Sequence, residues 1–132
     1  MKIGNTEYIE IKRSSEVGVT GKDYPEGCFI DYEIKTEYCT FLGKEYIDIK
    51  DIKGINKIIE QFKIHRKGQH KIKVGYDGDL IIKLKSDSGV GPIDVSIEAR
   101  AVYHDKSNQF REQKVIASFS VKQEYVNNIN KL

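Results

Sequence analysis

The sequence predicts a small α+β domain: a single antiparallel sheet of about five to seven strands, one main helix packed on it, and a short C-terminal helix. Three observations carry that expectation. Several segments alternate apolar and polar residues with a period of two, as half-buried strands do. One segment near the middle repeats its isoleucines at helical spacing. The last alternating run, Val115 to Val121, passes without a linker into a second amphipathic stretch. With 132 residues the chain fits one domain, 1–132, long enough to bury a two-layer core.

Taken in order, Tyr8 to Arg13 alternates, with Ile9 and Ile11 on one face and Glu10 and Lys12 on the other. From Ser14 to Gly27 the pattern breaks around Gly18, Gly21 and Pro25, a connection long enough to be either a surface loop or a place for a site. Cys28, Ile30, Tyr32 and Ile34 then alternate with Asp31, Glu33 and Lys35, the mark of an antiparallel strand with one wet face. Tyr38 to Leu42 continues or pairs with it before Gly43.

Asp48 to Lys67 reads as the main helix. Ile52, Ile55, Ile58, Ile59 and Phe62 form one apolar stripe. Asp48 or Asp51 can accept from the free amides at its start. His65, Arg66 and Lys67 suit its C-terminal end, with Gly68 as the left-handed cap.

Two hairpins follow. In the first, Ile72, Val74 and Tyr76 share parity with Leu80, Ile82 and Leu84, while Lys71, Lys73, Lys83 and Lys85 take the other face. A two-residue Asp77-Gly78 turn would set Ile72 opposite Lys83 and bury a lysine. A three-residue Tyr76-Asp77-Gly78 loop pairs Val74 with Leu80 and Ile72 with Ile82, and this register is the expected one. The second hairpin joins Ile93 to Tyr103 with Val115 to Val121 around His104 to Asn108, in a register the pattern leaves open. Ser120 and Gln123 have capping-box spacing, and Tyr125, Ile129 and Leu132 form a short stripe that should dock on the sheet.

Composition narrows the function classes. The 22 basic and 20 acidic side chains leave a formal charge of +2, too balanced to pull the chain strongly toward nucleic acid or anionic lipid. Cys28 and Cys39 lie at opposite parity, so a bridge is not expected and a reducing compartment is. No apolar run resembles a signal peptide or a bilayer span, which makes cytoplasmic residence the simplest expectation and a membrane partner an unexpected one.

The residues that usually carry chemistry are scattered. His65 and His70 flank a helix end and His104 sits in a hairpin loop, without a cysteine or carboxylate at metal-site spacing, so no metal and no cofactor are expected. Neither cysteine lies at a helix start near basic groups. Ser86 to Pro92 looks like a phosphate cradle but leads into a strand, which makes it a glycine turn. Asp31, Glu33, Glu37, Asp94 and Glu98 lie at wet-face parity, away from the apolar surroundings that would fit them for acid catalysis. No enzymatic activity is expected. The lysine rows with Tyr76 and Tyr103 could meet bases, but edge lysines more often stop sheets from aggregating.

Laid end to end, strand Phe29 to Ile34, helix Asp51 to Phe62, hairpins with the second opening at Gly91-Pro92-Ile93-Asp94, and the closing Phe119-Ser120-Val121-Lys122-Gln123-Glu124-Tyr125-Val126 resemble the WapI-type immunity proteins of bacterial wall-associated-protein toxin systems. Lys122 and Glu124 stand where that family carries an acid and a small hydroxyl. The resemblance implies a bacterial antitoxin that binds a cognate toxin domain in the cytoplasm and neutralises it without chemistry of its own. The expected contact surface is Asp31, Glu33, Glu37, Asp94, Glu98 and Arg100, because strand-borne side chains are held in place by the core below. The alternatives are a small-molecule-binding module, with a cavity lined by Tyr32, Ile34, Ile97 and Phe119, or a regulatory or structural subunit.

Overall fold

The alternating segments build two antiparallel sheets, not the single sheet of five to seven strands that the sequence predicts. A computed structural model of the chain describes residues 1–14, 26–75 and 78–132, with backbone alone at 102–104. The first sheet holds β1 (Lys2–Gly4), β2 (Tyr8–Arg13), β3 (Gly27–Lys35) and β4 (Thr40–Asp48), in that order. Helix α1 (Ile49–His65) follows. The second sheet holds β5 (Gly68–Val74), β6 (Leu80–Ser86), β7 (Ile93–His104) and β8 (Phe110–Val121), again in chain order.

The physical reason for two sheets is the amount of apolar surface that the strands carry. Ile9, Ile11, Ile30, Tyr32, Ile34 and Ile47 are buried from the first sheet, and Ile72, Val74, Leu80, Ile82, Leu84, Ile93, Val95, Ile97, Ala99, Phe119 and Val121 from the second. Helix α1 contributes Ile52, Ile55, Ile59 and Phe62. A single 17-residue helix cannot cover so many strand side chains, so the sheets cover one another and all these residues join one contiguous core. The helix touches both β4 and β5 as it carries the chain from one sheet to the other.

Local signals set the helix ends. Asp48 caps the N-terminus, its carboxylate accepting from the Lys50 and Asp51 amides at 2.6 and 3.1 Å. At the other end Arg66, not Gly68, takes the left-handed cap position at φ 50°, and its amide donates to Phe62 O at 2.8 Å. Gly68 keeps a positive φ but opens β5.

The first hairpin has the expected register, Val74 opposite Leu80 and Ile72 opposite Ile82. Gly78 has the left-handed φ of 69° that the longer loop requires; residues 76 and 77 lie outside the described set. The second hairpin pairs Ile93 with Val121, Ile97 with Ala117 and Ala99 with Val115. The capping box does not form. Ser120 Oγ donates to Asp94, Gln123 Nε2 donates to Ser86 Oγ, and Lys122 precedes a 3-10 helix, Gln123–Asn128, without a side-chain cap. Val126 and Ile129 are buried there, while Tyr125 and Leu132 are half-buried. The tail is held by Asn56 of α1, whose amide oxygen accepts from Leu132 N at 2.7 Å and whose amide nitrogen donates to Leu132 O at 3.3 Å.

Candidate functional site

Each sheet turns one face to the shared core and the other to solvent, and the six expected contact residues divide between the two outer faces. Asp31 and Glu33 lie on β3 of the first sheet. Glu37 sits in the turn after it, its amide donating to the Glu7 carboxylate at 3.1 Å. Asp94, Glu98 and Arg100 lie on β7 of the second sheet. The two groups are therefore not one surface.

The first outer face alternates in charge. Glu10 stands directly opposite Glu33, and Lys12 opposite Asp31. The Glu10–Glu33 repulsion is relieved by Lys12, 3.2 Å from Glu10, and by the Tyr8 hydroxyl, which donates to Glu33 at 2.8 Å. Lys44 lies 3.8 Å from Asp31, and Lys2 sits over the Tyr8 ring, 3.8 Å from its centre. Leu42 and Tyr38 are the large apolar side chains left exposed beside it.

The second outer face is denser in cations. Lys71 stands directly opposite Lys83, with Lys73 and Lys85 two residues away on the same strands. All four lysines are exposed. Across β7 the charges become mixed: Lys85 faces Asp94, Ile81 faces Glu98, and Glu98 faces Ile116 on β8. Glu98 is bonded by Lys114 at 2.8 Å, and that ammonium, helped by Lys83 and Lys71, holds its carboxyl below the usual carboxylate range. Arg100 lies 3.0 Å from Asp79 and 3.8 Å from Glu112. Sequence parity placed the lysines on this face. The same reading passed over Glu112, Lys114 and Ile116, although their even numbers put them off the apolar row of Val115, Ala117 and Phe119.

The remaining candidates resolve into structural roles. His70 packs edge-on against Phe62, ring centres 5.2 Å apart, at the end of α1. Among the described residues no three His, Cys, Asp or Glu side chains gather as metal ligands. Cys28 and Cys39 are free thiols. In the Ser86 to Pro92 turn, Ser88 Oγ accepts from Gly91 N at 2.9 Å and Ser86 Oγ from Gly89 N at 3.3 Å, so these amides are spent within the loop. The Ser14 to Gly27 connection lies outside the described residues over 15–25, as do the side chains of Tyr76, Tyr103 and His104.

Tyr32, Ile34, Ile97 and Phe119, the expected lining of a small-molecule cavity, are members of the packed core. An open groove of about 490 Å³ lies instead between the β1–β2 and β3–β4 turns, lined by Asn5 to Tyr8 and Lys35 to Glu37. No protein family, no curated protein and no solved structure matches this chain. Among the described residues no helix is long and apolar enough to cross a membrane.

Proposed function

We propose that this chain is a non-catalytic binding protein of the immunity class, which holds a cognate bacterial toxin domain against the outer face of its second sheet in the cytoplasm. The observation that carries this reading is the Lys71–Lys83 juxtaposition, flanked by Lys73 and Lys85. Like charges set directly opposite on a sheet are destabilising, so the face is retained at a cost to the fold. A partner bearing carboxylates would offset that cost and be steered to the face by it. The core row beneath, Ile72, Ile82 and Leu84, is fully buried and keeps the four lysines in fixed relation. The closing Phe119 to Val126 segment, by its resemblance to the WapI-type proteins, supplies the toxin as the class of partner.

Asp94, Glu98 and Arg100 belong to this contact in the proposal, as the mixed-charge border that discriminates among acidic partners. Asp31, Glu33 and Glu37 do not, because they lie on the first sheet or its turn.

Co-expression with the C-terminal domain encoded by the neighbouring upstream reading frame tests the reading. The wild-type chain should restore growth and co-purify with that domain. The Lys71→Glu, Lys83→Glu double variant should keep its circular dichroism spectrum and lose most of the protection. No rescue by the wild-type chain, or full rescue by a folded double variant, would refute the proposal.

A further inference from the structure

Strand β8 is an edge of the second sheet, and its first half runs beyond the end of the β6–β7 ladder. The β6–β7 ladder ends at Leu80 opposite Ala99, whereas the β7–β8 ladder continues to His104 opposite Phe110. Beyond Arg100, whose amide still donates to Asp79 O at 2.7 Å, the described residues form a two-stranded ribbon, and ribbons of that kind are marginal on their own. Phe110 and Ile116, at 70% and 73% exposure, stand on the same outer face of this strand.

The direction of the backbone groups follows from the hairpin. Asp105 N donates to Gln109 O, and the bonded pairs recur at every second position, at Arg111, Gln113 and Val115. The amides and carbonyls of the even residues Glu112, Lys114 and Ile116 therefore point away from β7 toward the sheet edge.

The segment Phe110-Arg111-Glu112-Gln113-Lys114-Val115-Ile116 is complementary to itself when reversed. Set antiparallel to a second copy about a two-fold axis at Gln113, it places Phe110 opposite Ile116, and Glu112 opposite Lys114, each pair occurring twice. Glu112 and Lys114 are even residues whose backbone groups face outward, so each copy of their pair can exchange two backbone hydrogen bonds. Moving the axis by one residue sets Glu112 or Lys114 against itself, a like-charge contact that opposes the pairing.

We propose that this chain self-associates through β8, antiparallel and centred on Gln113, joining two second sheets into one continuous sheet. The partner is a second copy because the strand carries both halves of the complementarity. Within one copy Lys114 already bonds Glu98, and Glu112 lies near Arg100, so the axis links two mixed-charge clusters without leaving an ion unpaired. The contact is short, and the dimer is accordingly weak. The dimer does not presuppose the toxin contact, although Glu98 and Arg100 border both surfaces.

Sedimentation velocity over a concentration series tests the inference. The wild-type chain should show a reversible monomer–dimer equilibrium. Glu112→Lys and Lys114→Glu should each weaken it by about tenfold or more, since each sets like charges opposite one another at two places. Mixing the two single variants should restore the dimer, because one copy then carries a lysine at both positions and the other a glutamate at both, so opposite charges meet twice across the axis. Ile116→Ser, which leaves every charge in place, should also weaken the dimer. A wild-type chain still monomeric at about 1 mM, where even a millimolar association would register, overturns the inference. So does a dimer indifferent to both charge reversals, or a mixture that fails to restore it.

Discussion

The Tyr32 ring lies over Gly43 on the neighbouring strand, where an added Cβ would come within 2.1 Å of the ring carbon Cζ. Only glycine leaves room for it. Tyr32 is 3% exposed, and its hydroxyl has no hydrogen-bond partner among the described residues. Burial first, then the carboxylates of Glu45 and Asp79, pushes its pKa up to about 12. A raised folded-state value means that the folded chain holds this proton more tightly than the unfolded one. The contribution is complete below the ordinary tyrosine value of 10.0 and is lost as pH rises toward about 12. Tyr32→Phe removes both the titration and the unpartnered hydroxyl. We expect it to stabilise the fold by about 1 kcal/mol at neutral pH and to flatten the alkaline fall, read as melting temperature against pH. The inward direction of Tyr32 was legible from its parity with Ile30 and Ile34. Its closeness to Gly43 was not, because the β3–β4 register depends on the turn between them.

At the level of elements, parity and local caps were the readable signals. Lysines at odd positions and apolar residues at even ones admitted only one β5–β6 register that kept charge out of the core, and that register is found. An aspartate cap was legible for the same local reason, though not which of Asp48 and Asp51 supplies it; Asp48 does, and Asp48→Ala should cost about 1 kcal/mol, measured by denaturant unfolding. Strand β1 was missed because Lys2–Gly4 is too short to show alternation. The second half of β4 was not legible because Gly43 interrupts the run and the adjacent Tyr46 and Ile47 leave no clean period of two. Ser120 and Gln123 had the spacing of a capping box, but Asp94 and Ser86 offered their side chains partners across the sheet and beneath the turn, and those contacts won.

For the whole molecule, alternation tells which face of a strand is buried and is silent on what buries it. That is why the sequence predicts one sheet under a helix where two sheets face one another. It is also why the six expected contact residues, chosen by their polar parity, occupy two surfaces. Helix α1 is the element that both sheets share, and Phe62 at its end is fully buried. Phe62→Ala should cost about 3–5 kcal/mol and lower the stability of both sheets together, seen as one unfolding transition whether followed at β2 or at β6.

Among the described residues every strand pairs only with a neighbour along the chain. Each half can consequently zip up by successive hairpins, without waiting for distant segments to meet, and the sole step that demands long-range search is the closing of one greasy inner surface upon the other. During synthesis the first half emerges with that surface bare until the second arrives. The hazard for this protein lies in that interval, when the nascent half is sticky and its future cover is still inside the ribosome.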